Sequence, residues 1–193
     1  MGDLISKQKI ISLKDRFYAS EIDGTTLLRS IVCQKVHPSD LILDLGAGKG
    51  KPKTDFRNFC KIVIGIDVDK HIQDNSFISY GLQGRIELLP FKDGCFDAIF
   101  ADYVLEHLRQ PMNSIKEVLR VLKPGGYFIF RTPNLWHYTS LVGYLSPHWV
   151  HKMVANRFRG TQNGKEDEIF ETAYKLNTRH KVKTLFQEIG FIY

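Results

Sequence analysis

The segment Leu41-Ile42-Leu43-Asp44-Leu45-Gly46-Ala47-Gly48-Lys49-Gly50 constrains this chain more than any other. A short apolar run enters a turn built on alternating glycines. A second apolar run, Ile62-Val63-Ile64-Gly65-Ile66, stops at Asp67. A strand that ends in glycines lets main-chain atoms approach a ligand with no Cβ between them. An acid at the tip of the neighbouring strand suits the two hydroxyls of a ribose. The pattern predicts nucleoside binding at the carboxyl edge of a parallel sheet.

Two nucleosides compete for such a site. A dinucleotide fold uses G-x-G-x-x-G, with the pyrophosphate held at a helix N-terminus. Here the spacing is G-x-G-x-G, and Lys51 followed by Pro52 occupies the place of the dinucleotide glycine. Asp44, two residues before the first glycine, would repel a pyrophosphate. It suits a ligand with an amino group and a sulfonium, and S-adenosylmethionine carries both. A nicotinamide-dependent oxidoreductase is therefore the disfavoured alternative.

With 193 residues the chain is long enough for one domain with a sizeable core. Its 43% hydrophobic and 25% charged residues are those of an ordinary globular protein. Cys33, Cys60 and Cys95 lie far apart with no C-x-x-C pair, which predicts reduced thiols, a cytoplasmic location and no metal site. Charged residues interrupt the first twenty positions, and no run is long enough to span a membrane. The net charge of +6 comes without a nucleic-acid motif, so no specific nucleic-acid partner is expected. The sequence sets no oligomeric state.

Hydrophobic spacing predicts helices over 4–18 and 25–36, the latter with Leu27, Leu28, Ile31 and Val32 on one face. Strands follow at 41–45 and 62–66, joined by an irregular basic connection. A third strand is expected within 76–89, ending near Leu88 or Leu89. Phe96 to Ala101 forms a fourth, apolar on both faces as a buried parallel strand should be. A helix over 111–122, closed by Lys123-Pro124-Gly125-Gly126, leads to a fifth strand at 127–131. The last helix spans 178–189, with Val182, Leu185, Phe186 and Ile189 inward and Gly190 as its C-cap. This alternation predicts a doubly wound α/β fold, a mostly parallel Rossmann-like sheet. Residues 134–177, rich in aromatic and basic side chains, read as a helical insertion after strand 5. The expected single domain divides into N-terminal helices (1–37), a nucleoside-binding core (38–133), an acceptor lid (134–177) and the last helix (178–193).

In series, these motifs resemble the class I S-adenosylmethionine-dependent methyltransferases, in the branch similar to ubiquinone and menaquinone methyltransferases. The resemblance is carried by Leu43 to Gly50, Gly65-Ile66-Asp67, Leu89-Pro90-Phe91 with Phe96-Asp97, Leu105-Glu106-His107-Leu108, Arg120 to Gly126, and Thr132-Pro133-Asn134. Phe170 to Thr178 is more weakly similar to a subset found among glycan and cell-surface biosynthesis enzymes. Two departures stand out. The acid that often reaches the adenine amino group is replaced by Arg85, unless Glu87 serves. The chain also stops at Ile192-Tyr193, where the family's closing antiparallel strands should begin, so those strands are expected to be missing.

The resemblance implies an enzyme that uses S-adenosylmethionine to methylate a small-molecule or glycan-like acceptor. The alternative is a non-catalytic module or partner subunit on the same fold. In the enzyme, Asp44 would orient the donor's amino group, with Gly46, Ala47 and Gly48 against its methionine part. Asp67, followed by Val68, would bind the ribose. Ile86 and Glu87 would border adenine, and Ala101, Asp102 and Tyr103 would close the methionine side. His107 is the candidate acid–base group, because an unperturbed imidazole accepts a proton near neutral pH. Glu106-His107 could equally brace the following turn.

Overall fold

The structure, a computed structural model, describes residues 23–133, 173, 175–176 and 178–191. The expected helix over 4–18 and nearly all of the expected insertion lie outside the described residues. Within them the strands are β1 (Leu41–Leu45), β2 (Ile62–Asp67), β3 (Tyr80–Gln83), β4 (Phe96–Asp102) and β5 (Leu122–Arg131). They form one sheet in the order β3-β2-β1-β4-β5, with every pairing parallel. The chain moves outward from β1 to β3, then restarts on the other side of β1 with β4. The β1/β4 junction is thus the switch point, where an open α/β sheet leaves a crevice beyond its strand ends.

Each face of the sheet carries its own core. On one face, α1 (Gly24–Lys35) buries Leu28 and Val32 against Ile42, Val63, Ala98 and Phe100. Asp23 caps this helix by accepting the N–H groups of Thr25 and Thr26. The helix ends before Pro38, and its apolar stripe is narrower than the sequence suggested. Leu27 and Ile31 are 49% and 38% exposed. Under the helix, Phe56 meets Phe100 edge-on, with centroids 4.8 Å apart and both rings buried. Truncating either ring would cost about 3–5 kcal/mol.

The opposite face packs against α2 (Pro111–Val121) and α3 (Arg179–Glu188). Ile115, Val118 and Val121 of α2 join Leu43, Leu45 and Ile99 of the sheet. Phe186 of α3 lies against Phe128 and Phe130 of β5, and Gly190 adopts φ +92° as the helix ends. Arg120 ties α2 to the loop before β4. It donates to the carbonyls of Leu89 and Phe91 and pairs with Glu117 and Asp93, while Glu117 accepts from the Leu89 N–H.

Two expectations need correction. The third strand ends at Gln83, not near Leu88 or Leu89. Its Tyr80 and Leu82 side chains are exposed, and beyond Gly84 the chain folds back through an isolated Arg85–Leu88 bridge. Leu88 is 78% exposed and Leu89 is buried, so that stretch is a turn. Lys123 to Gly126 do not precede β5 but belong to it. The register shifts opposite Phe96 and Ala98, and Gly125 takes φ +79°, so the kink sits inside the strand as an irregularity.

Candidate active site

β1 is buried along nearly its whole length, and the chain turns sharply as it emerges. Gly46 and Gly48 adopt φ +70° and +46°, in the left-handed region where other L-residues are strained. The N–H groups of Gly46 and Ala47 both donate to the Ile66 carbonyl, and Gly48 N–H donates to Asp67 Oδ2 at 2.8 Å. The turn is thereby lashed to the end of β2. A Cβ on Gly46 would run into the Val104 side chain.

This turn forms one wall of a cavity of about 300 Å³, lined by Asp44, residues 46–51, Thr54, Asp69 and Asp102. A larger groove of about 580 Å³ runs beside β3, but its lining includes no charged side chain. The acids converge on the smaller cavity. Asp44 is 4% exposed, and burial holds its carboxyl well above the usual carboxylate range. The negative charges of Asp102 and Asp67 push in the same direction, while Lys51 opposes them. Asp102, at the tip of β4, accepts from Arg131 through Oδ1 at 2.7 Å. Its Oδ2 is buried without a hydrogen-bond partner among the described residues.

These features decide between the two nucleosides. Only a short 3₁₀ turn, Pro52–Thr54, follows the glycines, so no α-helix N-terminus is offered to a pyrophosphate. Buried carboxylates, one of them with an orphaned oxygen, call for a cation. S-adenosylmethionine fits this set and a dinucleotide does not. Residues 43–130 match the sequence profile of a family described as a methyltransferase domain.

Residues 43–130 thus carry a methyltransferase domain, and the proteins the chain is similar to are S-adenosylmethionine-dependent methyltransferases of class I. The chain is 30% identical over 133 residues to an uncharacterized methyltransferase, YcgJ, of Bacillus subtilis, covering 64% of this chain and 51% of that one. The crystal structure of YcgJ superposes with a TM-score of 0.61 at 22% identity, over 84% of this chain and 67% of that one. A demethylmenaquinone methyltransferase of Beutenbergia cavernae is 29% identical over 119 residues, 55% of this chain and 48% of its own. A Haemonchus contortus phosphoethanolamine N-methyltransferase, solved with S-adenosyl-L-methionine, shares the fold at TM-score 0.59 and 17% identity, over 88% of this chain and 37% of that one. The chain spans about half the length of the curated relatives it matches.

Among the residues singled out in the sequence, Asp44, Gly46, Ala47, Gly48 and Asp102 line the cavity together. Asp67 stands behind the turn and accepts from Gly48 N–H and Asp69 N–H, one on each oxygen. Val68 is 47% exposed, and its carbonyl accepts from Gln83. Ala101 is fully buried in the core, facing away from the cavity. Tyr103 takes the strained φ of +62° beside it. Ile86 packs into the core on the α2 face and Glu87 pairs with Arg85 at 3.4 Å; neither lines the cavity. His107 is half-buried at the end of the 3₁₀ turn Leu105–His107.

Sequence reasoning missed Lys49, Gly50, Lys51, Thr54 and Asp69 as lining residues, and Arg131 as the partner of Asp102. Asp69 had a signal, the Asp67-Val68-Asp69 repeat in which the second acid caps the next turn through His71 N–H. Arg131 had none, because its pairing depends on strand register. No helix among the described residues is long and apolar enough to cross a membrane. No metal-binding cluster of His, Cys, Asp or Glu occurs among them either.

Proposed function

We propose that this chain catalyses methyl transfer from S-adenosylmethionine to a small-molecule or glycan-like acceptor. The observation that carries the reading is the buried Asp44 beside the left-handed Gly46–Gly48 turn, at the switch point of a parallel sheet. The acceptor class draws support from the small-molecule substrates in the names of two relatives, demethylmenaquinone and phosphoethanolamine.

The bound donor supplies an electrophilic methyl group on a positively charged sulfur, a leaving group already activated. The protein's share is positioning, which can supply up to ~7–11 kcal/mol of the barrier. Asp44 takes the ammonium of the donor's amino-acid end. Gly46 and Gly48 present bare main chain to the rest of that end. Asp67 takes the ribose: each of its oxygens already accepts one N–H, which fixes the carboxylate, and each keeps a second lone pair for a hydroxyl.

In this reading His107, in the 3₁₀ turn that follows the tip of β4, accepts the proton from the acceptor. Its neighbour Glu106 does the bracing. Glu106 is 4% exposed, accepts from Thr132 Oγ1, and its carbonyl accepts from Ala173 N–H at 2.7 Å. Lys175 also donates to the Arg109 carbonyl. Residue 133, just before the segment assigned as the lid, and residue 173, within its last turn of sequence, therefore both stand near the carboxyl edge of the sheet. That placement supports a role for the segment in acceptor selection.

Titration calorimetry with S-adenosylhomocysteine tests the donor site, and saturable one-to-one binding is expected. Absence of heat at saturating ligand would remove the reading. A chain that binds the donor yet transfers no labelled methyl group to quinol, amino-alcohol or sugar acceptors would be the non-catalytic module instead.

A further inference from the structure

Asn75 does not line the donor cavity, yet its side chain is buried, at 8% exposure, and bonded to the turn that does. Its Nδ2 donates to the carbonyls of Ala47 and Gly48, at 3.1 Å each, and its Oδ1 accepts from Phe77 N–H at 2.9 Å. A main-chain N–H can only donate, so the amide oxygen faces Phe77 and the nitrogen faces the two carbonyls. The close approach requires a glycine at position 50, where a Cβ would collide with the Asn75 side chain. The third glycine of the G-x-G-x-G run thus makes room for an amide of the protein itself.

Asn75 is held firmly in its turn. It closes the 3₁₀ turn Lys70–Asp74 by donating its own N–H to the Ile72 carbonyl, and Ile72 is buried in the core with Ala47 and Ile78. At the other end of the same turn, Asp69 accepts from His71 N–H, and its own N–H donates to Asp67 Oδ1. One short, anchored turn therefore touches the site at both of its ends.

The hold on the carbonyls reaches further than the turn. A trans peptide group is planar, with its C=O and N–H pointing in opposite directions. Drawing the Ala47 carbonyl onto Asn75 therefore turns the Gly48 N–H away from it, and there it meets Asp67 Oδ2 at 2.8 Å. Glycines leave a chain many other orientations, so a glycine turn needs an outside group to select one. We propose that Asn75 is a positioning residue for donor binding: its amide sets the peptide planes of the glycine turn and, through Gly48 N–H, the Asp67 carboxylate. This rests on the donor-site reading above, in which Asp67 takes the ribose.

The test separates the two halves of the amide. Asn75→Asp keeps the shape and the oxygen that caps Phe77 N–H, and replaces the donor to the turn with a second acceptor. Asn75→Ser is neutral, keeps a short acceptor for the Phe77 turn, and cannot span to both carbonyls. Calorimetry should show S-adenosylhomocysteine binding weakened about ten-fold in Asn75→Asp and somewhat less in Asn75→Ser. The deciding readout is the same substitution made in Asp67→Ala. With the group it acts through removed, Asn75→Asp should cost less than about three-fold more. A side chain that served stability alone would give no loss of affinity, or equal losses in the two backgrounds. Either result in folded protein would overturn the assignment. If Asn75→Asp does not fold, Asn75→Ser decides alone by the same criterion. A wild-type chain that binds no S-adenosylhomocysteine defeats the donor-site reading and this inference with it. Normal binding in wild type, with no Asp67-dependent loss in the variants, defeats only the inference.

Discussion

The two ends of the proposed donor cleft are built differently. At the amino-acid end, Asp44 and Asp102 are buried, Gly46 is wedged against Val104, and Arg131 is clamped by three elements. At the nucleoside end, Val68 is exposed, Glu87 sits in a turn with Arg85, and the four-residue edge strand β3 carries exposed side chains. Every group at the first end is fixed by packing before a ligand arrives. The second end is fixed mainly by the Asp67 carboxylate and its two main-chain bonds. Binding energy and sensitivity to mutation should therefore concentrate toward Asp44, Gly46 and Asp67 and fade toward β3.

The largest effect is expected at Gly46. A valine there would be forced into a left-handed backbone and would collide with the Val104 side chain. Gly46→Val should bind no S-adenosylhomocysteine by calorimetry and should melt at a lower temperature. Gly48→Val should also lose binding, with a smaller loss of stability. Among the described residues a Cβ at Gly48 meets only Asp67 Oδ2, at 3.7 Å, so the fault lies in backbone strain and in blocking the ligand's approach. A Gly46→Val protein that binds normally would show that the turn is structural only.

Asp67→Ala comes next. Losing charge-assisted hydrogen bonds to the ribose typically costs ~1.5–3 kcal/mol, or ten-fold or more in affinity. The same change frees Gly48 N–H and Asp69 N–H, so the loss should exceed that of a residue touching ligand alone. Unchanged affinity in a folded Asp67→Ala variant would take Asp67 out of the site.

Asp44 offers a test by pH. Burial, followed by the charges of Asp102 and Asp67, raises its carboxyl in the folded chain. The folded state then binds more protons than the unfolded state, so this group's contribution favours folding at low pH. That contribution is lost as pH rises through the elevated value. Donor binding runs the other way, because the ammonium pairs with the ionised carboxylate. Wild-type affinity for S-adenosylhomocysteine should rise with pH through that range, while Asp44→Asn should bind weakly with a flatter profile. In the ligand-free state the melting temperature of wild type should fall relative to Asp44→Asn as pH rises. Parallel pH profiles for the two proteins would show that Asp44 does not titrate in the site.

The same gradient governs what could be read from sequence. β1, the glycine turn and Asp67 were legible because their constraints are local: an apolar run, positive φ, an acid at a strand tip. The buried fourth strand was legible for a similar reason. The Asp102–Arg131 pair was not, since it needs β4 and β5 in register and residues 29 apart along the chain. β3 was misjudged by several residues. An exposed edge strand has no two-sided apolar run to mark its end, and Leu88-Leu89 imitated one although Leu88 faces outward.

The smallest effect is expected at Glu87, the residue that the family resemblance put against adenine. Glu87 does not line the cavity, and its partner is the exposed Arg85. An exposed ion pair of this kind contributes little, and surface substitutions usually stay within about 0.5 kcal/mol. Glu87→Gln should therefore shift S-adenosylhomocysteine affinity by less than about two-fold and leave the melting temperature nearly unchanged. The informative comparison is with Asp67→Ala under identical conditions. A loss at Glu87 approaching that at Asp67 would mean that the turn after β3 closes onto the ligand when it binds. The nucleoside end would then be held as firmly as the amino-acid end, but only in the complex.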